Sequence, residues 1–163
     1  MTGQIYFRQA TFEDASGIAA LVNRVFTPAS VPGWSLEALA SVCHEHSETS
    51  LQSALQSCAY QRVAIADGRV VAHLIFSKPH LLSIMAVVPE AQGKGLGSRL
   101  IVDAIGAVDK GYPDIEVLQV NATERSMPFY AKHGFYPISP MLNVESRRFI
   151  RMALWLRPRR MGW

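Results

Sequence analysis

Three glycines fall within five consecutive positions of this chain, in residues 92–98, Gln-Gly-Lys-Gly-Leu-Gly-Ser. An apolar run ends just before this segment, and a helical pattern of apolar residues begins inside it. Glycine permits positive φ angles and lets a ligand approach the backbone closely. The unpaired N–H groups at a helix start lie at the positive end of the helix dipole and favour phosphate. The segment therefore predicts a phosphate-binding turn, with Lys94 adding a positive charge.

Two common phosphate-binding motifs do not fit this segment. A nucleotide-hydrolysing P-loop requires Lys-Ser or Lys-Thr after its last glycine, and that pair is missing. A dinucleotide-binding G-x-G-x-x-G motif counted from Gly93 has Ser98 in its sixth position, and about ninety residues precede it. The remaining alternative is a tight turn without a ligand. Three glycines are a costly way to build only a turn, because each adds entropy to the unfolded chain.

The other residues with reactive or metal-binding side chains form no recognisable site. His44 and His46 flank Glu45, but no third ligand follows at helical or strand spacing, so a solvated helix end is favoured over a metal site. Cys43 and Cys58 have neither metal-ligand spacing nor a disulfide framework around them. They are interpreted as small buried apolar groups. No metal is predicted.

The composition is that of one globular domain over residues 1–163. The chain has a mass of 18.0 kDa, with 49% hydrophobic and 18% charged residues. The longest apolar run, 81–88, is too short to span a bilayer, and the first residues lack the pattern of a signal peptide. With only two cysteines, the expected location is the cytoplasm, and no membrane partner is expected.

The formal net charge is +3, and much of the basic excess lies near the C-terminus. The arginines concerned are Arg147, Arg148, Arg151, Arg157, Arg159 and Arg160. This stretch lacks the interleaved aromatic residues of a single-strand binder and any recognisable DNA-reading helix. A solvated tail is therefore favoured over a nucleic-acid-binding patch.

The N-terminal part predicts a strand followed by helices. Alternation around Ile5–Gln9 indicates an opening strand, and Thr11 with Asp14 forms a capping box before a helix. The apolar stripe of this helix comprises Ile18, Leu21, Val22, Val25 and Phe26. Ser35 can cap a second helix. Its inward face is predicted to carry Leu36, Leu39 and Cys43, and helical spacing resumes at Leu51, Ala54, Leu55 and Cys58.

The remainder predicts a hairpin and then alternating strands and helices. Tyr60–Ala66 and Arg69–Ser77 are strand-like and are joined by Asp67-Gly68, a dipeptide typical of two-residue turns. A buried strand over 81–88 ends at Pro89 and precedes the glycine turn and a helix. Further elements are expected near 115–120, 125–132, 135 and 148–156. Antiparallel pairing followed by strand–helix alternation favours a mixed α/β sheet.

Four motifs in order resemble those of the GNAT (GCN5-related N-acetyltransferase) superfamily. Val87-x-Pro89-Glu90-x-Gln92-x-x-Gly95-x-Gly97 is similar to the acetyl-CoA signature of that family. Similarity extends to Arg8-Gln9-Ala10-Thr11-x-Glu13-Asp14, to Asp67-Gly68-Arg69-Val70-Val71 and to Phe129-Tyr130-x-Lys132-x-Gly134-Phe135. The resemblance covers almost the whole chain. It implies a GNAT-like acyl-CoA N-acyltransferase fold, with a central, mostly antiparallel sheet flanked by helices.

The resemblance also implies which residues bind acetyl-CoA. The backbone of Met85, Ala86 and Val87 would pair with the pantetheine arm like an added strand. The pyrophosphate would be held by the backbone of Gln92, Gly93, Lys94, Gly95, Leu96, Gly97 and Ser98. Asn121 stands two residues before the position of a family asparagine and can make an equivalent amide contact. Phe129 and Tyr130 occupy the aromatic positions of the second cofactor motif.

Within the family, a tyrosine at the position of Tyr130 hydrogen-bonds or protonates the departing CoA sulfur. The alternative is that Phe129 and Tyr130 only pack a short helix. The family's usual strand carboxylate is missing, so the general base is His80, His73 or water relayed through backbone carbonyls. A lone histidine on an apolar strand is more often a core residue than a base.

The expected reaction is direct attack of an amine on the thioester, because neither cysteine lies near the cofactor motifs. In the family, the acceptor groove is formed by the segments corresponding to 27–35 and 137–145. Both are more apolar than charged here, which favours a small amine or amino-acid-like acceptor. A CoA-binding regulatory module without catalysis is the alternative. A homodimer is compatible with the sequence.

Overall fold

A computed structural model describes residues 4–157, so Arg159 and Arg160 of the predicted basic tail lie outside the described part. The helices are α1 (Ala15–Val25), α2 (Leu36–Glu45), α3 (Glu48–Ser57), α4 (Leu96–Gly111) and α5 (Met127–Lys132). The strands are β1 (Tyr6–Arg8), β2 (Tyr60–Ala66), β3 (Arg69–Lys78), β4 (Leu81–Val87), β5 (Val117–Ala122), β6 (Tyr136–Pro137), β7 (Leu142–Val144) and β8 (Arg147–Trp155). Short 3-10 helices cover Phe12–Asp14 and Pro89–Ala91.

The strands form one sheet in the order β1-β2-β3-β4-β5-β8-β6, and β7 pairs with β8. Among the described strands only β4 and β5 run parallel, and every other pair is antiparallel. The long connection through α4 is what allows two neighbouring strands to run in the same direction. The predicted mixed sheet, mostly antiparallel and flanked by helices, is confirmed.

Local turn and cap chemistry explains why several elements begin where they do. Asp67 and Gly68 have φ angles of 49° and 73°, as a two-residue hairpin turn between β2 and β3 requires. The Ser35 hydroxyl accepts a hydrogen bond from the N–H of Ala38 at the start of α2. Asp14 accepts from the N–H of Thr11 at 2.7 Å. These three predictions from local sequence are confirmed.

Helices cover both faces of the sheet. On one face α4 supplies Leu100, Ile101 and Ala104, which share an apolar cluster with the inward residues of β5: Leu118, Val120 and Ala122. On the other face α1 and α3 pack Ile18, Val22 and Leu51 against a cluster from β2 and β3: Val63, Ile65 and Ile75. No helix within residues 4–157 is long and apolar enough to cross a membrane.

Two predicted details were wrong. Leu36 was expected on the inward face of α2, but it is 76% exposed because it begins the helix, where the chain has not yet turned towards the core. The buried residues of α2 are Ala38, Leu39 and Val42. The strand expected from Ile115 begins only at Val117, since the N–H of Ile115 bonds back to the carbonyl of Tyr112 in a turn.

Candidate cofactor turn and reaction site

The glycine segment forms an exposed turn between β4 and α4. Gly93 and Gly95 have φ angles of 74° and 79°, a region that L side chains rarely adopt. Gly95 is the N-cap of α4 and makes no side-chain cap hydrogen bond. A side chain at either glycine would meet no atom within 4 Å, so both are needed for backbone conformation and not for space.

Gly97 is needed for a different reason. A Cβ atom built there would lie 3.3 Å from the Phe129 ring and 3.8 Å from the Val87 side chain. The absence of a side chain thus lets α5 pack against the first turn of α4. This role in packing was missed at the sequence level, where all three glycines were attributed to the ligand.

The first turn of α4 presents free backbone donors. The first helical hydrogen bond runs from the N–H of Arg99 to the carbonyl of Gly95 at 3.0 Å. The N–H groups of residues 96–98 therefore have no intrahelical partner. Because α4 is 16 residues long, its dipole adds positive potential at this end. An anion with several oxygens, such as a pyrophosphate, matches this set of donors.

Ser98 and His133 lie together beside this turn. The Ser98 Oγ is 3.0 Å from His133 Nε2, and the imidazole packs on Phe129 with ring centroids 4.8 Å apart. Partial burial, with the Lys132 charge, lowers the pKa of His133 below its usual value. Sequence reasoning did not single out His133, since only the packing of α5 against α4 brings it to the turn.

The parallel strands β4 and β5 separate along their length. They pair only at Leu81 with Gln119 and at Leu82 with Val120. Beyond these positions β4 remains paired with β3, up to Val87 with Ala72, and β5 remains paired with β8. We refer to the opening between residues 83–87 and the end of β5 as the split.

One edge of β4 faces the split and pairs with no strand beyond Leu82. The N–H of Val88 donates to the carbonyl of Val71 on β3 at 2.9 Å. Because backbone groups alternate in direction along a strand, those of Val87 and Met85 point away from β3 and into the split. The Gln92 amide donates to the Val87 carbonyl at 3.0 Å. An extended ligand arm can therefore add to β4 as a strand would.

An irregularity in β4 marks where the split begins. Ile84 pairs with Ile75 and Leu82 with Phe76, so Ser83 is an extra residue that opposes no partner. The Ser83 hydroxyl instead donates to the hydroxyl of Ser77. Such bulges re-aim the strand and end regular pairing. The sequence pattern did not predict this bulge, because its apolar run is continuous on either side.

Tyr130 is buried on the face of the sheet that carries α4. It is 5% exposed and belongs to the apolar cluster against which Met85 and Val87 pack. Its ring meets Phe129 and Phe135 edge-on, with centroids 5.2 and 5.6 Å apart. Burial raises the pKa of the Tyr130 phenol, so the group stays protonated and is a donor. Within residues 4–157 its hydroxyl bonds to no other side chain or backbone group.

The two candidate histidines lie away from the glycine turn. His73 on β3 is 0% exposed, and neither ring nitrogen has a hydrogen-bond partner. Burial lowers the pKa of His73 to about 3. His80 stands where β4 and β5 are still paired, its carbonyl accepting from the N–H of Gln119 at 2.7 Å. At about 3.3 Å per residue, some 23 Å of strand separates His80 from Val87. The structure brings neither residue to the turn.

Asn121 is also separated from the aromatic pair. The neighbours of Asn121 in β5, Val120 and Ala122, are buried in the α4 cluster, whereas Asn121 is exposed. Since side chains alternate along a strand, Asn121 points to the opposite face, which carries α1–α3. The predicted contact of Asn121 with the cofactor stays a prediction.

On the α1–α3 face, the loop after α1 is fastened to the β7–β8 hairpin. The indole N–H of Trp34 donates to the carbonyl of Arg148 at 3.0 Å. Arg147 donates to Ser41 at 2.8 Å and to the carboxylate of Glu45, both on α2. The Arg147 charge holds the pKa of Glu45 below its usual range. The segment 27–35 is therefore held against the start of β8, which follows the segment 137–145.

A cavity of about 680 Å³ lies elsewhere, between α1 and the β2–β3 hairpin. Its lining shares only Val88 and Glu90 with the connection between β4 and the glycine turn. Glu90 is ion-paired with Arg24 at 2.9 Å, and Asp14 is paired with Arg8 at 2.6 Å. The split and residues 92–98 contribute no residue to this cavity. Among residues 4–157 no group of three metal-ligating side chains occurs.

The fold and the turn are those of an N-acetyltransferase domain. Residues 30–156 match the family model described as an acetyltransferase (GNAT) domain. The chain therefore belongs to the GNAT acetyltransferase family, as its motifs indicated.

Individual relatives agree with this assignment. The chain is 32% identical over 138 residues to the uncharacterized N-acetyltransferase YjhQ of Escherichia coli K12, covering 76% of this chain and 65% of that protein. A GCN5-related N-acetyltransferase from Rhodopseudomonas palustris has a TM-score of 0.78 at 19% identity, covering 95% of this chain and 98% of the other. PaiA N-acetyltransferase from Thermoplasma acidophilum, in complex with coenzyme A, has a TM-score of 0.73 at 19% identity, covering 93% and 99%.

Proposed function

We propose that the protein transfers the acetyl group of acetyl-CoA to the amine of a small molecule. One observation carries this proposal: the β4–β5 split, with its free backbone edge, leads directly to a glycine turn with free N–H donors. An extended arm ending in a pyrophosphate fits that combination. Family membership supports acetyl transfer, and PaiA binds coenzyme A in the complex named above.

In this proposal the cofactor is bound mainly by backbone groups. The pantetheine arm pairs with Met85, Ala86 and Val87. The pyrophosphate is held by residues 92–98, with Lys94 as a point charge. Phe129 packs on Gly97 and keeps the start of α4 in place. Binding would release the Val87 carbonyl from the Gln92 amide, which then becomes available to the cofactor.

The chemical step requires a new C–N bond and the loss of a C–S bond. The neutral amine attacks the thioester carbon, and the developing oxyanion is stabilised by backbone N–H groups of β4. When the intermediate collapses, the sulfur leaves with the bonding pair and takes a proton from Tyr130. The nitrogen loses a proton to solvent. The products are the acetamide and CoA, and Tyr130 regains its proton from water.

Water is the base in this proposal. His73 is sealed in the core, so it cannot exchange a proton with an acceptor. His80 lies at the closed end of the split, and proton transfer requires contact within about 3 Å or through one water. We therefore assign proton removal to water that reaches the split, and we expect the His80→Ala variant to keep most of its activity.

The acceptor is proposed to be a small amine or amino-acid-like molecule. The segments 27–35 and 137–145 that would border it are more apolar than charged. Trp34 in the first segment bonds to Arg148, near the end of the second. An apolar border of this kind favours a compact acceptor with an apolar body over a polycation.

The test is a turnover assay combined with a binding measurement. Purified protein is titrated with CoA by calorimetry and then incubated with acetyl-CoA and amines from four classes: polyamines, aminoglycosides, amino acids and peptide N-termini. Release of free CoA with a matching acetylated product supports the proposal. Binding of CoA without turnover on any amine would identify a regulatory module instead. A strong preference for spermidine would refute the assignment of a compact acceptor.

A further inference from the structure

An exposed polar pair interrupts the face of the sheet that carries α1–α3. Asn121 on β5 is directly opposite Arg151 on β8. Both side chains are exposed. This is unexpected in the interior of a sheet, since β5 lies between β4 and β8, and β8 lies between β5 and β6. Directly opposite residues on one face have Cβ atoms about 5 Å apart. The amide and the guanidinium therefore lie side by side.

The neighbours of this pair fix the face on which it lies. Arg147 stands four residues before Arg151 on β8, so both project to the same side. Arg147 contacts Ser41 and Glu45 of α2. The pair is consequently on the α2 side of the sheet, opposite Tyr130, and one residue from the end of β5 where the split is open.

Among residues 4–157 the Arg151 charge has no counter-ion. Strand β8 contains three arginines and no acidic residue, and of these only Arg147 is paired with a carboxylate, that of Glu45. Within residues 4–157 neither the Arg151 guanidinium nor the Asn121 amide bonds to another side chain or to the backbone. The guanidinium of Arg151 and the amide of Asn121 thus face the open side of the split without a hydrogen-bond partner among the described residues.

The backbone of Arg151 is held firmly. Its N–H donates to the Ser139 hydroxyl at 2.9 Å, and its carbonyl accepts from the N–H of Ile138 at 2.8 Å. Ser139 in turn donates to the carbonyl of Pro140 at 2.8 Å. A binding group on a fixed strand loses little freedom when it engages a ligand.

We propose that Arg151 and Asn121 bind a carboxylate on the acceptor, so that the substrate is an amine that also carries a carboxylate. This inference rests on the proposed acetyl transfer and names its substrate class. The guanidinium fork matches a carboxylate with two parallel hydrogen bonds, and the amide supplies a further donor. One guanidinium balances a single negative charge, which favours a carboxylate over a doubly charged phosphate.

The position of the pair also limits the spacing between amine and carboxylate. Paired strands are about 4.8 Å apart, so Arg151 lies one strand spacing beyond β5, the strand that borders the split. In the proposed function the thioester lies in the split between β4 and β5. The amine and the carboxylate are therefore expected to lie within one small molecule, as in an amino acid, and not at the two ends of a long chain.

The experiment compares amino acids with their uncharged amides. Leucine, methionine and phenylalanine are paired with leucinamide, methioninamide and phenylalaninamide, and amino acids with a longer spacing, β-alanine and 4-aminobutyrate, are included. For the wild type, kcat/KM is expected to be roughly 10- to 100-fold higher for the acids, the range that charge-assisted hydrogen bonds provide. Arg151→Gln should remove this preference by lowering kcat/KM for the acids far more than for the amides, with the Kd of CoA unchanged.

Two further variants separate recognition from folding. Arg151→Lys keeps the positive charge but lacks the two parallel N–H donors of the guanidinium. It should therefore retain part of the preference that Arg151→Gln loses. Arg69→Gln removes an exposed arginine at the start of β3, far from β8, and should keep the full preference. Thermal unfolding of each variant checks that the fold is intact.

The outcomes distinguish this inference from the proposed function. Equal rates for acids and amides in the wild type, or a higher rate for aminoethyl phosphate, would overturn the carboxylate site while acetyl transfer stands. If no amine is acetylated, calorimetry with the same acids and amides in the presence of CoA provides the readout. Binding of the acids that is lost in Arg151→Gln supports the carboxylate site even without turnover, and its absence overturns it.

Discussion

The glycine turn and the β5–β8 face represent two different ways of building a binding site. The turn is local, since its contacts come from seven consecutive residues, 92–98, and mainly from their backbone. The β5–β8 face combines Asn121 and Arg151, which are 30 positions apart in the chain and are joined by strand register. The first kind of site leaves a motif in the sequence. The second leaves only two unremarkable residues whose proximity depends on the fold.

This difference matches what each ligand demands. A cofactor with a fixed pyrophosphate can be held by peptide groups, which every sequence has once glycine allows the conformation. An acceptor must be distinguished from other amines, and that requires particular side chains. We therefore expect substitutions at the turn to change cofactor affinity and substitutions on the β5–β8 face to change acceptor preference, with Tyr130 connecting the two.

The largest effect is expected at Tyr130, which in the proposed mechanism protonates the departing sulfur. Tyr130→Phe should lower kcat by about 100-fold, the lower range for loss of a general acid, with the Kd of acetyl-CoA nearly unchanged. Because burial raises the pKa of the phenol, it remains the proton donor throughout the neutral range. Steady-state kinetics and calorimetry provide the measurement. Tyr136→Phe, at an exposed position on β6, is the control, and an unchanged kcat in Tyr130→Phe would exclude the acid role.

The second prediction concerns His73, which belongs to the face that carries α1–α3. Its pKa is about 3 in the folded protein and 6.5 in the unfolded chain, chiefly because of burial and secondarily because of His46, with Asp14 acting oppositely. The neutral form is thus favoured by folding. Its stabilisation is complete above pH 6.5 and is lost as the pH falls towards 3, by about 1.4 kcal/mol per pH unit.

Between pH 6.5 and 5 this amounts to about 2 kcal/mol, or roughly 30-fold in the folding equilibrium. Denaturant unfolding at both pH values should show a shallower pH dependence for His73→Leu than for the wild type. In hydrogen exchange at pH 5, the backbone amides of α1 and α3 should lose protection before those of α4. Equal slopes for the two proteins would mean that His73 is not the acid-sensitive group.

The third prediction tests the backbone of the turn. Gly95→Val places a β-branched residue at a φ of 79°, which costs about 1–2 kcal/mol. The Kd of CoA should therefore rise by about tenfold, with the ratio of kcat/KM for acids and amides unchanged. Gly106→Ala in the middle of α4, where a Cβ meets no atom within 4 Å, is the control and should slightly increase stability. A changed acceptor preference in Gly95→Val would contradict the separation of the two regions.

The sequence predicted the elements with strong local signals. Asp67-Gly68, the Ser35 cap and the glycine turn each depend on one or two residues whose conformational needs are independent of the rest of the fold. The split, the bulge at Ser83 and the Gly97–Phe129 contact were not predictable in this way. They depend on which strands become neighbours and in which register, and local periodicity does not contain that information.

The fourth prediction concerns the link between the loop after α1 and β8. Arg147→Ala removes the hydrogen bonds to Ser41 and Glu45 and the contact with Trp34. An ion pair between partly exposed side chains stabilises a contact by about 1 kcal/mol. Because the lost contact holds the segment beside the proposed acceptor site, the KM of the acceptor should rise about fivefold. The KM of acetyl-CoA should not change, and Arg147→Lys should be intermediate. Equal increases in both KM values would show that the link supports the whole fold and not one groove.

The smallest effect is expected at Lys94. It tests most directly the proposal that the turn binds the pyrophosphate through its backbone N–H groups. Lys94 is exposed and its chain neighbours are the two glycines with positive φ, so it contributes a solvated charge and no fixed geometry. Lys94→Ala should weaken CoA binding only about two- to fourfold at low salt, in the range of exposed ion pairs, and less at high salt because the charge is screened. Lys110→Ala, near the other end of α4, is the matched control for lost charge. A loss for Lys94→Ala as large as that for Gly95→Val would mean that the turn binds its anion through a side chain. The contrast with the β5–β8 face would then no longer hold.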